Sequence, residues 1–191
     1  MSGICAISSP KKPKLETTCS SQLFSALPQD LLTSILLYAD PSDVLSSERV
    51  SHSFAKAIPL WAKMTRTLDL DNSCTIEVFA KLFGSRSTPF FPNVTTLKVS
   101  LNFAAFLESK KKQETYTQTK KDINEMIERI PKQCPAVQQL TVRDDSDGLA
   151  SNWPKCWSST LVKLEVKGGS GRMSITLNEF PNLKKLSLGS N

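Results

Sequence analysis

One short pattern constrains this chain more than any other: an opening residue, two of any kind, a leucine, one of any kind, and an aliphatic. It occurs five times, as Thr65, Leu68 and Leu70; Val94, Leu97 and Val99; Val137, Leu140 and Val142; Leu161, Leu164 and Val166; and Leu183, Leu186 and Leu188. The two-residue step from the leucine to the aliphatic puts both on one face of an extended strand. A unit this small cannot bury that face alone, so recurring units must stack and share a core. The central leucines are offset by 29, 43, 24 and 22 residues. Three of these offsets fall in or at the edge of a repeat period of roughly 20 to 29 residues. The long interval carries an excess over 108–119 (ESKKKQETYTQT), polar and lysine-rich, which is expected to be a solvated insertion on the convex side.

The segments between strands read as helices and stops. Ile76, Phe79, Ala80 and Phe83 suit a helix ended by Gly84, and Ile123, Met126, Ile127 and Ile130 suit another ended by Pro131. Pro92, Pro135 and Pro181 each lie two residues before a unit's first aliphatic, where the connection must give way to the next strand. Two units extend the pattern with Asn102 and Asn191, whose amides suit the turn after a strand. Period and signature together resemble leucine-rich repeats, implying an α/β solenoid with a curved parallel sheet over residues 63–191. The sequence stops at Asn191 partway through a unit. The expectation is a longer repeat protein or a poorly protected last strand.

Residues 1–21 are mostly Ser, Thr, Lys and Pro, too poor in apolar groups to offset the entropy of ordering them, and are expected to be disordered. Within them Lys11, Lys12 and Lys14 resemble a short basic nuclear import signal, with a solubilising tail as the alternative. No apolar run approaches the roughly 20 residues that span a bilayer, and no secretory leader is evident. The expected location is cytoplasm, nucleus or both, with no membrane partner.

Little supports catalysis. The chain has one histidine, His52, and five scattered cysteines, in no zinc-site spacing. With no export signal the cysteines read as reduced thiols. Gly168-Gly169-Ser170-Gly171 is followed by Arg172 and so is not a phosphate loop. Asp144-Asp145-Ser146-Asp147-Gly148 lacks the bidentate glutamate of a calcium loop. We expect no catalytic residues, no metal and no cofactor.

Ahead of the repeats, Leu27, Leu31, Leu32, Ile35 and Leu36 recur at helical spacing, with Pro28 tolerated in the first turn. Asp40-Pro41-Ser42-Asp43 supplies a second helix start, with Val44, Leu45 and Val50 on its apolar side. A third helix is expected from about Ser51 to Leu60, presenting Phe54, Ala57 and Ile58 and closing near Trp61. So few helices hold little core and need a neighbour. In order and spacing, residues 27–36, Tyr38, Asp40 to Leu45, Arg49-Val50-Ser51, Phe54 and Trp61 resemble an F-box, placed at 22–62. The chain departs from the usual pattern at Ala39, at Ser46-Ser47-Glu48 and at Phe54.

With the repeats, the chain resembles F-box/leucine-rich-repeat proteins, the substrate receptors of SCF-type cullin-RING ubiquitin ligases. The resemblance implies a non-catalytic subunit in ubiquitin-dependent degradation. It would bind a Skp-type adaptor, and through it a cullin, while the repeats hold a target protein. The adaptor surface and the core beneath it would comprise Leu27, Pro28, Leu31, Ile35, Leu36, Val44, Leu45, Val50 and Phe54. The alternatives are an interaction scaffold without a ligase, and a nucleic-acid-associated binder. The net charge of +6, pI near 9.1 and the Lys110-Lys111-Lys112 run suggest the latter, but no reading motif accompanies them.

Period-two alternation also assigns the opposite face of the sheet. Its rows read Thr67, Asp69 and Asp71; Thr96, Lys98 and Ser100; Gln139, Thr141 and Arg143; Lys163, Glu165 and Lys167; Lys185, Ser187 and Gly189. Neighbouring strands about 4.8 Å apart would set Lys163 beside Lys185 and Arg143 beside Lys167. Like charges so placed repel unless an anion lies between them. Lys98, Arg143, Lys163, Lys167 and Lys185 are thus the expected contacts for an acidic or phosphorylated target segment.

Overall fold

The computed structural model describes residues 27–70, 76–84, 87–101, 125, 127–144, 153–168 and 176–189. Outside them lie the tail with Lys11, Lys12 and Lys14, the insertion at 108–119, the lysine run 110–112, and Asp71, Asn102, Ile123, Met126 and Asn191. The loop residues 145–148 and 169–171 lie outside them too.

Three helices come first: α1 (Gln29–Leu36), α2 (Pro41–Ser47) and α3 (His52–Met64). The Pro28 carbonyl accepts from the amides of Leu31 and Leu32 at 3.1 Å and so starts α1. Asp40 starts α2 in the same manner, its carbonyl accepting from Asp43 and Val44 at 2.9 Å. Its carboxylate makes no capping bond, contrary to the expected N-cap role. Ser51 does cap α3, its hydroxyl accepting from the Phe54 amide at 3.3 Å.

The expected end of α3 near Leu60 is corrected to Met64. Pro59 lies inside this helix and removes one N–H from its ladder. The turns after it bury Trp61 and Ala62, which outweighs that loss.

A parallel sheet follows, in the order β1 (Thr67–Leu70), β2 (Thr96–Leu101), β3 (Gln139–Asp144), β4 (Lys163–Lys167) and β5 (Lys185–Gly189). The fold is therefore mixed α/β, three helices followed by five parallel strands. Its register aligns Leu68, Leu97, Leu140, Leu164 and Leu186 in one row, and Leu70, Val99, Val142, Val166 and Leu188 in the next. Helix α4 (Ile76–Leu82) and the helical residues 127–133 (α5) precede β2 and β3, while 3₁₀ turns at Trp153–Trp157 and Leu177–Glu179 precede β4 and β5.

Pro131 does not end α5, as the sequence had suggested, because helical backbone continues through 133. The last turn is tied down from outside: the Gln133 side chain accepts from the Phe90 amide at 2.8 Å, and its carbonyl accepts from the Phe91 amide at 3.0 Å. Gly168 closes β4 at φ 78°, a left-handed conformation that glycine adopts without a Cβ clash.

Each step between strands repeats one backbone device. The Arg66 carbonyl accepts from Thr95 and Thr96, Thr95 from Gln138 and Gln139, Gln138 from Val162 and Lys163, and Val162 from Lys184 and Lys185, at 2.7 to 3.2 Å. Side chains four residues before the strand leucines reinforce it. Asn93 donates to the Lys63 carbonyl at 2.8 Å, Thr160 to that of Val137 at 2.7 Å, and Asn182 to that of Ser159 at 2.7 Å. Ala136 holds the same position in the third unit and has no side-chain donor.

The three helices share their core with the sheet. Trp61 meets Phe91 edge to face at 5.5 Å, Phe91 packs against Phe83 at 6.0 Å, and Phe83 against Phe79 at 5.8 Å. The sheet thus supplies the neighbour that so small a helical unit requires. At the other end, Leu186 and Leu188 sit in register with buried residues yet are exposed.

Candidate functional site

Two surfaces concentrate the chemistry. The first is apolar. Helix α1 carries two apolar stripes, and among the described residues only one is packed against the rest of the chain. Leu32 and Leu36 are buried against the other helices, whereas Leu31 and Ile35 are about half exposed, at 52% and 49%. Pro28, Leu31, Ile35 and Tyr38 follow at spacings of three, four and three, so they line one side of the helix and the turn after it. Tyr38 is 94% exposed, and Val50, before α3, is 57% exposed.

The expected adaptor residues therefore divide. Pro28, Leu31, Ile35 and Val50 are at the surface, Leu27 is half-buried, and Leu36, Val44, Leu45 and Phe54 are in the core. The last four act by holding the helices together, since a buried side chain has no area to offer a partner. The sequence reading left Tyr38 out of the surface set. The signal for it was present: its place three residues after Ile35 continues the 28, 31, 35 stripe.

The second surface is polar, on the face of the sheet away from the core. The register places Lys163 opposite Lys185 and Arg143 opposite Lys167. These neighbours do not repel unopposed. Glu165 stands between them on β4, and its carboxylate takes Lys163 Nζ at 3.3 Å and Lys167 Nζ at 3.0 Å. Hydrogen bonds from Lys167 and then Lys163 hold its carboxyl below the usual carboxylate range. On the other side, Lys98 Nζ pairs with Asp69 at 2.8 Å. Arg143 and Lys185 have no ion pair among the described residues. A cavity of about 260 Å³ opens here, lined by Lys98, Val99, Thr141, Arg143, Lys163, Glu165 and Lys167. The sequence placed its polar residues on one face and missed only that Glu165 would be the anion between the lysines.

Among the described residues the other reactive groups are dispersed. His52 is exposed at the start of α3. Cys134 is buried, which pushes its thiol up, and Cys156 is exposed. Among the described residues, no three His, Cys, Asp or Glu side chains group as a metal site would require.

Residues 24–67, the three helices with the approach to β1, match the F-box-like family model. No curated protein matches the chain. The segment is thus F-box-like and supports an F-box protein. F-box domains in general bind Skp-type adaptors, and F-box proteins are typically non-catalytic substrate adaptors.

Proposed function

We propose that the chain is the substrate-recognition subunit of an SCF-type ubiquitin ligase. In this reading the F-box, taken as residues 22–62, docks on a Skp-type adaptor through Leu27, Pro28, Leu31, Ile35 and Val50, with Tyr38 beside them. The adaptor connects it to a cullin, and ubiquitin transfer happens elsewhere in the complex. The five units of 63–191 are leucine-rich repeats forming a curved solenoid, and their polar face holds the target through Lys98, Arg143, Lys163, Lys167 and Lys185. An acidic or phosphorylated segment suits that face. The protein works in the cytoplasm or nucleus, with Lys11, Lys12 and Lys14 favouring nuclear entry.

One observation carries the reading: the F-box-like segment leaves an apolar stripe of α1 uncovered, with Leu31 and Ile35 about half exposed beside buried Leu32 and Leu36. Fully burying a Leu or Ile is worth roughly 1.5 to 3 kcal/mol, so such a stripe rewards a partner that covers it.

Affinity capture of the tagged chain, probed for adaptor and cullin, tests it. Both should be retained, and the double substitution Leu27→Ala, Pro28→Ala should lower adaptor recovery by about tenfold or more. A chain that captures proteins through its repeats but neither adaptor nor cullin is an interaction scaffold instead. Charge reversal at Arg143, Lys163 and Lys167 should strip target proteins and leave the adaptor bound. Replacing Lys11, Lys12 and Lys14 by Ala should reduce nuclear accumulation.

A further inference from the structure

The two ends of the sheet are finished differently. A stack of strands exposes its core at each end unless something covers it. At the first end α2 lies against β1, and Leu68 and Leu70 are buried. At the other, no further strand pairs with β5 among the described residues. Leu186 and Leu188 are exposed there, although their neighbours in register, Leu164 and Val166, are buried.

The backbone is open at the same two residues. The Lys185 amide donates to the Val162 carbonyl, and the Gly189 carbonyl accepts from the Gly168 amide, so residues 185, 187 and 189 turn their N–H and C=O groups toward β4. Alternation turns those of Leu186 and Leu188 outward. Each of these leucines thus offers a donor, an acceptor and an apolar side chain along one edge, and such an edge is a template for another strand.

We infer that this edge pairs with the same edge of a second copy of the chain, antiparallel, about a two-fold axis at Ser187. The inference does not depend on the ligase reading. With Ser187 opposite Ser187 of the second copy, Leu186 faces Leu188 and Leu188 faces Leu186. These are the residues whose amides and carbonyls turn outward, so each gives and takes a backbone hydrogen bond, and the leucines of both copies meet on the core face. Lys185 falls opposite Gly189, where no like charge opposes it. An axis at Leu186 would instead set Leu188 against Lys184, and one at Leu188 would leave Leu186 without a leucine opposite. The leucines therefore select the register. Pairing stops at two copies, because β1 of the second copy lies against its α2 and offers no equivalent edge. The strand is short, and its edge falls below the roughly 800 Å² per partner of stable complexes, so the dimer is weak, with a Kd of about 10 to 100 µM.

The full chain should pass from monomer to dimer between about 5 and 300 µM in sedimentation velocity. Leu188→Lys, at an exposed position and with its fold checked by circular dichroism, should raise the dimer Kd by about tenfold or more, since it sets a cation among leucines. Cross-linking reads the register. Ser187→Cys brings two thiols to facing positions with Cα atoms about 4.5 Å apart, within disulfide reach, and should give a linked dimer when oxidised with diamide. Lys185→Cys leaves its two thiols roughly 14 Å apart, at about 3.4 Å per residue, and should link no more than the parent, whose own cysteines set the background.

A chain that stays monomeric at about 300 µM, a dimer that Leu188→Lys leaves unchanged, or heavier species that grow with concentration would overturn the inference. So would Lys185→Cys linking as readily as Ser187→Cys, since that register would not pair the leucines.

Discussion

Trp157→Phe should be among the most damaging conservative changes in the repeat region. Trp157 is buried at 1% exposure, and its indole N–H donates to the Cys134 carbonyl at 2.7 Å. Phenylalanine keeps the aromatic ring in place but has no donor. The Cys134 residue is wholly buried, so water cannot take over, and an unsatisfied buried acceptor costs about 1 to 3 kcal/mol. The smaller ring leaves a void of roughly 30 to 40 Å³, adding about 1 kcal/mol at ~24 cal/mol per Å³.

The expected loss is therefore about 2 to 4 kcal/mol, a large share of a typical total of roughly 5 to 15. For a chain of this size that corresponds to a fall in Tm of about 5 to 15 °C. Asn182→Ala is the control. It too removes one bond between successive units, to the carbonyl of Ser159, but this one is exposed and water can replace the donor, so its cost should stay near 0.5 to 1 kcal/mol, a rough value for a replaceable bond. Urea unfolding of parent and both variants by circular dichroism gives the comparison. A Trp157→Phe loss below about 1 kcal/mol, or no greater than that of Asn182→Ala, would refute the argument from burial.

Three further outcomes follow from the packing and the charges. Leu140→Ala, at a fully buried site, should cost about 2 to 5 kcal/mol, whereas Leu188→Ala, on the same face at the exposed last strand, should cost less than about 1, both read from urea midpoints. In native protein treated with iodoacetamide, Cys156 should react well before Cys134, and peptide mapping by mass spectrometry shows the order; burial both hides Cys134 and disfavours its thiolate. Glu165 has a folded pKa held below its ordinary value near 4.5, so its ion pairs stabilise fully above that value and fade as pH falls through the depressed one. Stability of Glu165→Gln relative to parent should show a deficit of up to about 1 kcal/mol at neutral pH and low salt, vanishing in acid and shrinking in salt.

The sheet was legible because its leucines report burial at a fixed step. Leu68, Leu97, Leu140, Leu164 and Leu186 are each the second residue of a strand, and the register follows their alignment without a slip. Helix ends were less legible, since α3 passes Pro59 and α5 passes Pro131. In both, a proline that removes one hydrogen bond is overruled by tertiary contacts, Trp61 and Ala62 in one and the bonds of Gln133 in the other, which local sequence cannot display. The sequence points to asparagines after the strands, Asn102 and Asn191, which lie outside the described residues; the described structure adds two before the strands, Asn93 and Asn182, which reach carbonyls 30 and 23 residues back.

For the candidate surfaces, alternation gave the rows of the polar face that the register shows, except that Ser100 is buried and Asp71 lies outside the described residues. It could not tell that Glu165 would hold two lysines at once, which depends on side-chain reach. On α1 the sequence named one apolar set, and only the packing divides it into buried Leu36 and exposed Leu31 and Ile35.

The central claim is that the exposed stripe of α1 is a docking surface for a Skp-type adaptor. Its most direct measurement is the Kd of purified adaptor for the full chain by isothermal titration, compared with Leu31→Asp, Ile35→Asp and the double variant. These residues are half exposed, so the variants should fold as the parent does by circular dichroism. The account predicts a stoichiometric complex for the parent, weakened by about tenfold or more in each single variant and lost in the double. Equal affinity for the parent and the folded double variant, or no complex with the parent, would contradict it.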